Sequence, residues 1–304
     1  MSIDIDLCKA HIKKLSNNIH SVLKGHESAV ELTILCIMSG GHLLIEDVPG
    51  VGKTTLARAI AHSTGLEYRR IQFTSDILPS DILGVSIYNP QTSTFEFHEG
   101  PIFTNILLAD EINRAEPRAQ SALLEAMFEH QVSIDGITHS LPSPFIVIAT
   151  QNPLDLSGTF ALPDSQLDRF LFRIHMGYPD ADAEFAILKS NSKKDDIPPI
   201  LNRSEIENLM SCVNDVYASD EILKEIQRIT HATRQHSQIQ QGISTRAMIE
   251  LLRAARARAL YHERDFVLPD DITALLVPAL SHRIRLAPNS DSEPEEIIQS
   301  LIKA

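Results

Sequence analysis

Apolar residues along this chain follow two different periods. Between Ile5 and Leu23 they fall at Leu7, Ile12, Leu15, Ile19, Val22 and Leu23, the spacing of an amphipathic helix that Gly25 closes. A second helix is expected over 28–38, after which Ser39-Gly40-Gly41 turns the chain into the short apolar run His42-Leu43-Leu44-Ile45-Glu46. Further strand-like runs occupy 68–73, 105–110, 145–150 and 170–175, with helical spacing at 55–63 and 117–129 between them. The runs at 105–110 and 145–150 are apolar without alternation, as in a strand buried on both faces. Residues 76–101 are rich in turn formers and hold the alternating Phe95-Glu96-Phe97. Residues 132–141 alternate around Asp135-Gly136, a hairpin signal. After Pro179 the strand signals cease, and 181–190, 204–216, 220–236, 245–261 and 269–276 all carry helical spacing. Strands alternating with helices, then helices alone, predict an α/β fold: a parallel-sheet domain over 1–178 and an all-helical domain over 179–304.

The strand ending at Glu46 runs through Asp47 and Val48 into Pro49-Gly50-Val51-Gly52-Lys53-Thr54-Thr55, which opens a helix. Such a loop turns backbone N–H groups toward an anion, and the helix N-terminus adds its positive end. Binding of ATP is therefore expected at Pro49, Gly50, Val51, Gly52, Lys53, Thr54 and Thr55. Lys53 would reach the β- and γ-phosphates and the Thr54 hydroxyl would ligate Mg2+. The first glycine of the usual pattern is Asp47 here. Downstream, Ile106-Leu107-Leu108-Ala109-Asp110-Glu111 ends a buried strand in two carboxylates. Asp110 is expected to hold Mg2+ through water and Glu111 to polarise the attacking water, the two needs of hydrolytic phosphoryl transfer.

Composition acts mainly by exclusion. Aspartate and glutamate number 40 against 27 lysines and arginines, a net charge of −13 that speaks against general nucleic-acid binding. The 13 histidines show no metal-ligand spacing, and Cys8, Cys36 and Cys212 lie far apart. The cysteines read as thiols of a reducing cytoplasm, without a disulfide framework or a zinc site. No apolar run reaches the length of a membrane span, the longest (29–38) being broken by Glu31 and Thr33.

Four blocks make the chain resemble the AAA+ ATPases, and within them the MoxR family. They are Leu44-Ile45-Glu46-Asp47-Val48-Pro49-Gly50-Val51-Gly52-Lys53-Thr54, Leu108-Ala109-Asp110-Glu111-Ile112-Asn113-Arg114-Ala115, Ile148-Ala149-Thr150-Gln151-Asn152-Pro153 and Leu162-Pro163-Asp164-Ser165-Gln166-Leu167-Asp168-Arg169-Phe170. The resemblance spans about 24–179 and part of the helical region, and Asp47 matches the MoxR pattern. It implies a P-loop αβα core with a parallel sheet followed by an all-α lid. It also implies Mg2+-dependent ATP hydrolysis in a homo-oligomeric ring, a hexamer, in the cytoplasm. The implied purpose is chaperone-like remodelling or maturation of a protein client, often with a von Willebrand type A domain protein as partner.

By the same resemblance Asn152 is the sensor that orients water near the γ-phosphate. Arg169 is the arginine finger offered to a neighbouring subunit, with Arg173 as its rival. Arg246, in Gly242-Ile243-Ser244-Thr245-Arg246-Ala247, is the lid arginine on the γ-phosphate, through which ATP binding closes the lid. Gly25 and His26 resemble the adenine-side box, with His26 where the family usually has Gln. The remaining arginines Arg253, Arg256, Arg258 and Arg264 read as a solvated face or subunit contacts. Residues 81–103 and 132–141 stand where the family carries an insertion and a hairpin, both candidates for touching a client. The ATPase subunit of a metal chelatase has closely similar blocks and is the alternative, and the acidic balance places a DNA-acting motor behind it.

Overall fold

In a computed structural model, which describes residues 5–153, 158–189, 197–288 and 290–301, helices α1 (Ile5–Val22) and α2 (Glu27–Met38) lead into β1 (Leu43–Glu46). Then come α3 (Lys53–Thr64), β2 (Tyr68–Gln72), the short α4 (Pro79–Leu83), and a hairpin of β3 (Gly84–Asn89) and β4 (Thr94–Glu99). Strand β5 (Ile106–Asp110) and helix α5 (Pro117–Glu129) precede a second hairpin, β6 (Gln131–Ile134) and β7 (Ile137–Ser140). The core ends with β8 (Ile146–Gln151), α6 (Asp164–Leu167) and β9 (Phe172–Ile174). Helices α7 (Ala181–Lys189), α8 (Arg203–Asp215) and α9 (Asp220–Gln235) follow, then β10 (Ile239–Gln241), α10 (Thr245–Tyr261), α11 (Pro269–Leu280), β11 (Arg285–Leu286) and α12 (Pro294–Ser300).

Five strands form one parallel sheet in the order β2-β5-β8-β1-β9. Successive residues of a strand point to opposite faces, so a strand covered on both sides must be apolar at every position. Leu43, Ile45, Ile106, Leu108, Ile146 and Ile148 join α1, α2, α3 and the C-terminal helices in one core. Leu44, Leu107, Ala109, Val147 and Ala149 join α5 in another on the far side. The result is an α/β core followed by a helical lid. Among the described residues the lid also holds the antiparallel β10–β11 ribbon and an isolated bridge between Tyr217 and Phe266, both too short to leave a period in the sequence. Side-chain caps start three lid helices: Asn202, Ser219 and Ser244 accept the N–H groups of Glu205, Ile222 and Ala247.

Because the sheet is parallel, the segments leaving its strands gather at one edge and those entering gather at the other. The Asp135-Gly136 expectation holds, with φ of +52° and +79° giving the two left-handed residues a tight hairpin turn needs. The β3–β4 hairpin leaves Val85, Ile87, Tyr88 and Phe95 exposed. Among the described residues no helix is long and apolar enough to cross a membrane.

Two sequence expectations are corrected by packing. The buried stripe of α1 (Cys8, Ile12, Leu15, Ile19) lies in one core with Leu209 and Cys212 of α8, and Cys8 and Cys212 form a disulfide across a sequence separation of 204. Spacing along the chain carries no trace of a pair that helix packing assembles. Cys36 is a buried free thiol. Arg258 and Arg264, read as solvated or subunit-facing, instead bind the carboxylate of Asp271 at 2.9 and 2.7 Å. Asp271 is fully buried, which alone would raise its pKa. The Arg264 guanidinium and the Leu268 N–H outweigh burial and hold the carboxyl below the usual range.

Candidate functional site

The loop leaving β1 carries the first group of candidate residues. Gly50 and Gly52 have φ of +90° and +100°, a region that a side chain disfavours. A Cβ at Gly50 would meet nothing within 4 Å, so the loop faces open space there, as a phosphate cradle requires. Gly52 is the N-cap of α3, and Lys53, Thr54 and Thr55 form its first turn. The Lys53 ammonium donates to the backbone carbonyls of Asp47 at 2.7 Å and Gln151 at 3.4 Å. It therefore bridges the ends of β1 and β8. Burial lowers its pKa, and the nearby carboxylates of Asp110, Asp47 and Glu111 counter that shift.

Asp47 is the position where the usual pattern has glycine, and its contacts explain the exchange. One carboxylate oxygen accepts the Val48 N–H at 2.9 Å, and the other accepts those of Met176 and Gly177, both at 2.6 Å. The carboxylate ties the phosphate loop to the segment that leaves β9. Gly25, at φ +73°, packs where a Cβ would strike Ala183 at 2.8 Å, and the neighbouring His26 is buried at the start of α2. Leu23 lies 3.3 Å from a Cβ built on Gly52, so the Gly25–His26 turn adjoins the phosphate loop.

The two acids close the same edge. Asp110, at the end of β5, receives Arg70 of β2 on one oxygen at 2.6 Å and the Thr150 hydroxyl on the other at 2.6 Å. Glu111 has φ of +56°, a conformation that costs a non-glycine residue about 1–2 kcal/mol. Its N–H donates to the Thr150 hydroxyl at 2.9 Å, and its carboxylate is gripped by Gln72 at 3.0 Å and Arg114 at 2.9 Å. Asn152 follows β8 on this edge, and its carbonyl accepts from Asn113. A hydroxyl at Thr54 and a carboxylate at Asp110 are hard oxygen donors, the type a small divalent cation takes.

Arg169 and Arg246 stand at the opposite edge. Leu171, entering β9, donates its N–H to the carbonyl of His42, which enters β1. Arg246 binds Asp168 through the carboxylate at 2.6 Å and the carbonyl at 3.1 Å. The four residues of β1 span about 13 Å, so Arg246 is separated from the chain's own phosphate loop by the length of a strand. The expectation for Arg246 is a lid arginine on the γ-phosphate; here it binds Asp168 beside the residues that enter the sheet. Arg169 donates to the carbonyl of Leu124 on α5. Arg173, its rival, is engaged inside the chain by Glu46, Glu295 and Ser281. The lid holds this edge through Arg283 and His282, which both donate to the carbonyl of Phe170, and Arg283 also binds Glu250 at 2.6 Å.

Sequence reasoning did not single out Arg70, Gln72 or Thr150. They occupy strands adjacent to β5, and only strand order makes them neighbours of the acids. Asp47 had a signal, the departure from glycine.

Comparison with known proteins followed the same lines. Residues 42–172 match the model of the ATPase family associated with various cellular activities, and 231–301 match an AAA lid domain. The uncharacterized protein YeaC of Bacillus subtilis is 46% identical over 96% of this chain and 93% of its own length. The chaperone MoxR1 of Mycobacterium tuberculosis is 36% identical over 94% of this chain and 79% of its own. A crystal structure of a putative ATPase from Cytophaga hutchinsonii superposes with a TM-score of 0.91 at 36% identity, covering 98% of this chain and 95% of that one.

Proposed function

The chain belongs to the MoxR family of AAA+ ATPases and is an ATP-hydrolysing enzyme, and from that premise we propose how its residues divide the work. The observation that carries the proposal is the junction of three strand ends. Lys53 lies between the carbonyls of Asp47 and Gln151, beside the Asp110–Glu111 pair. Backbone N–H groups of Gly50 to Thr55 cradle the phosphates with Pro49 bordering them, and Lys53 turns from the two carbonyls to the β- and γ-phosphates. Thr54 and Asp110 are the residues that hold Mg2+, which when bound neutralises charge on the transferring phosphoryl group. Glu111 orients and polarises the attacking water, and Asn152 fixes that water near the γ-phosphate. Gly25 and His26 border the adenine.

Domain division falls near 178, with the phosphate machinery in 1–178 and the lid in 179–304. Arg169 and Arg246 lie a strand's length from their own nucleotide, so both act on the nucleotide of a neighbouring copy. That requires a closed head-to-tail ring, and a hexamer fits the family. Turnover then drives remodelling of a protein client in the cytoplasm, with a von Willebrand type A domain protein as partner. The exposed β3–β4 and β6–β7 hairpins are the client-facing elements.

The test is phosphate release from purified full-length protein with and without a chelator, followed by magnesium add-back, with sedimentation run in parallel. Release that vanishes with the chelator, returns with magnesium and rises with assembly supports the reading. Release unaffected by the chelator, or unchanged from monomer to assembly, overturns the metal or the ring.

A further inference from the structure

Phe128 is a large apolar side chain with 52% of its surface exposed, on a helix whose other face is fully packed. Two guanidinium groups lie against its ring. The Cζ of Arg169 is 5.4 Å from the ring centroid and the Cζ of Arg246 is 5.3 Å from it. One arginine comes from the loop before β9 and the other from the first turn of α10. They are held in register by Asp168, which precedes Arg169 and binds Arg246. One turn before Phe128, the carbonyl of Leu124 takes a hydrogen bond from Arg169. Phe128, Arg169 and Arg246 line one cavity of about 260 Å³ together with Arg253 and Gly40. Glu250 also lines this cavity, bound to Arg283 at 2.6 Å and lying 3.8 Å from the Arg246 guanidinium.

We propose that Phe128 is a positioning residue, an uncharged platform that presents Arg169 and Arg246 together to the terminal phosphate of the nucleotide held by a neighbouring copy. The inference rests on the reading that these two arginines act across a subunit boundary. The physical reason for an aromatic ring is charge. Arg246 already has Asp168 at 2.6 Å and Glu250 at 3.8 Å, so a further carboxylate in place of the ring would cancel more of the positive field that a phosphate needs. A ring face attracts a cation through its quadrupole and carries no net charge. The planar guanidinium lies on it while keeping N–H groups at its edge for an anion.

The experiment compares Phe128→Leu, Phe128→Tyr, Arg169→Ala, Arg246→Ala and the double variant Phe128→Leu/Arg169→Ala in the full-length chain. Steady-state phosphate release is measured at saturating ATP and magnesium, with thermal unfolding and sedimentation for each. Phe128→Leu should lower kcat about tenfold, corresponding to about 1.4 kcal/mol, with KM, assembly and unfolding temperature near wild type. Phe128→Tyr, which keeps the ring, should stay within about twofold of wild type. The double variant should lose less than the product of the two single effects, because part of the platform's effect acts through Arg169. If both arginine variants keep full turnover, the underlying trans reading has failed. If they lose turnover while Phe128→Leu does not, the platform is wrong and the trans reading stands. Loss of assembly in Phe128→Leu would also overturn the proposal, since Phe128 would then be an interface residue.

Discussion

The two edges of one sheet handle charge in opposite ways. At the edge where strands end, carboxylates and cations are matched within the chain: Asp110 with Arg70, Glu111 with Gln72 and Arg114, and Lys53 with two carbonyls. At the edge where strands begin, Arg169 and Arg246 rest on an uncharged ring and a backbone carbonyl, and Arg246 also has Asp168 at 2.6 Å and Glu250 at 3.8 Å. On the proposed function, the first edge holds its own polar partners until a nucleotide replaces them and the second supplies charge to a neighbouring copy. A parallel sheet sets the two edges apart by the length of its strands.

The largest effects should come from the strand-end edge. Glu111→Gln should keep ATP binding yet lower phosphate release by about 10²–10⁴-fold, the range for removing a general base. Lys53→Ala should abolish binding itself. Isothermal titration against turnover separates the two, and equal loss of binding in both variants would mean the pair is misassigned. Next in size, Arg169→Ala should lower kcat by about 10³-fold with little change in KM. Mixing it with Glu111→Gln subunits should restore part of the activity, because each supplies what the other lacks. No recovery in properly mixed assemblies would remove the contrast between the edges.

A third test uses His42, buried where β1 begins. Its Nε2 faces the Met127 carbonyl at 3.2 Å and its Nδ1 accepts the Val147 N–H at 3.0 Å. That pattern suits the neutral ring, since a proton on Nδ1 would face another donor. Burial pushes its pKa down from 6.5 to about 4, more than the Met127 carbonyl raises it, and nearby His130 lowers it further. The unfolded chain therefore takes up a proton between about pH 6.5 and 4 that the folded chain refuses. Stability is full above about pH 6.5, falls as pH drops through this window, and levels off below it. The contribution at stake is about 3 kcal/mol. Denaturant titrations at pH 7, 5.5 and 4 should show a smaller loss for His42→Gln than for wild type. Identical slopes would show that His42 does not control the acid response of this edge. The smallest effect concerns Asp47: Asp47→Ala should raise KM for ATP about tenfold with kcat nearly unchanged, by releasing three N–H groups from a charged acceptor. A change in kcat alone would place Asp47 in the chemistry instead of the loop's tether.

Much of this was legible from residue order where the controlling physics is local. Helix α5 starts at Pro117 and ends at Glu129, within the span its apolar spacing predicted, because a proline can start a helix and His130 in a left-handed conformation can end it. The phosphate loop and the acid pair were readable because glycine freedom, a helix start and a strand end are all properties of short segments. Strand β3 was missed, since Gly84-Val85-Ser86-Ile87 pairs only with its hairpin partner and shows no core-facing pattern. The contacts of Phe128 were hidden because its partners come from two other parts of the chain.

The amino-acid order alone determined the glycine loop between a strand and a helix, the paired carboxylates at a strand's end, and that a parallel sheet is followed by helices. Short-range backbone geometry and burial periodicity control all of these. Folding in three dimensions decided which residues meet across elements: Cys8 with Cys212, Asp271 with two arginines, and Arg169 with Arg246 over one ring. It also decided that Arg246 binds Asp168, beside the residues that enter the sheet. Strand order and helix packing are long-range choices, and the spacing of residues along a chain does not encode them.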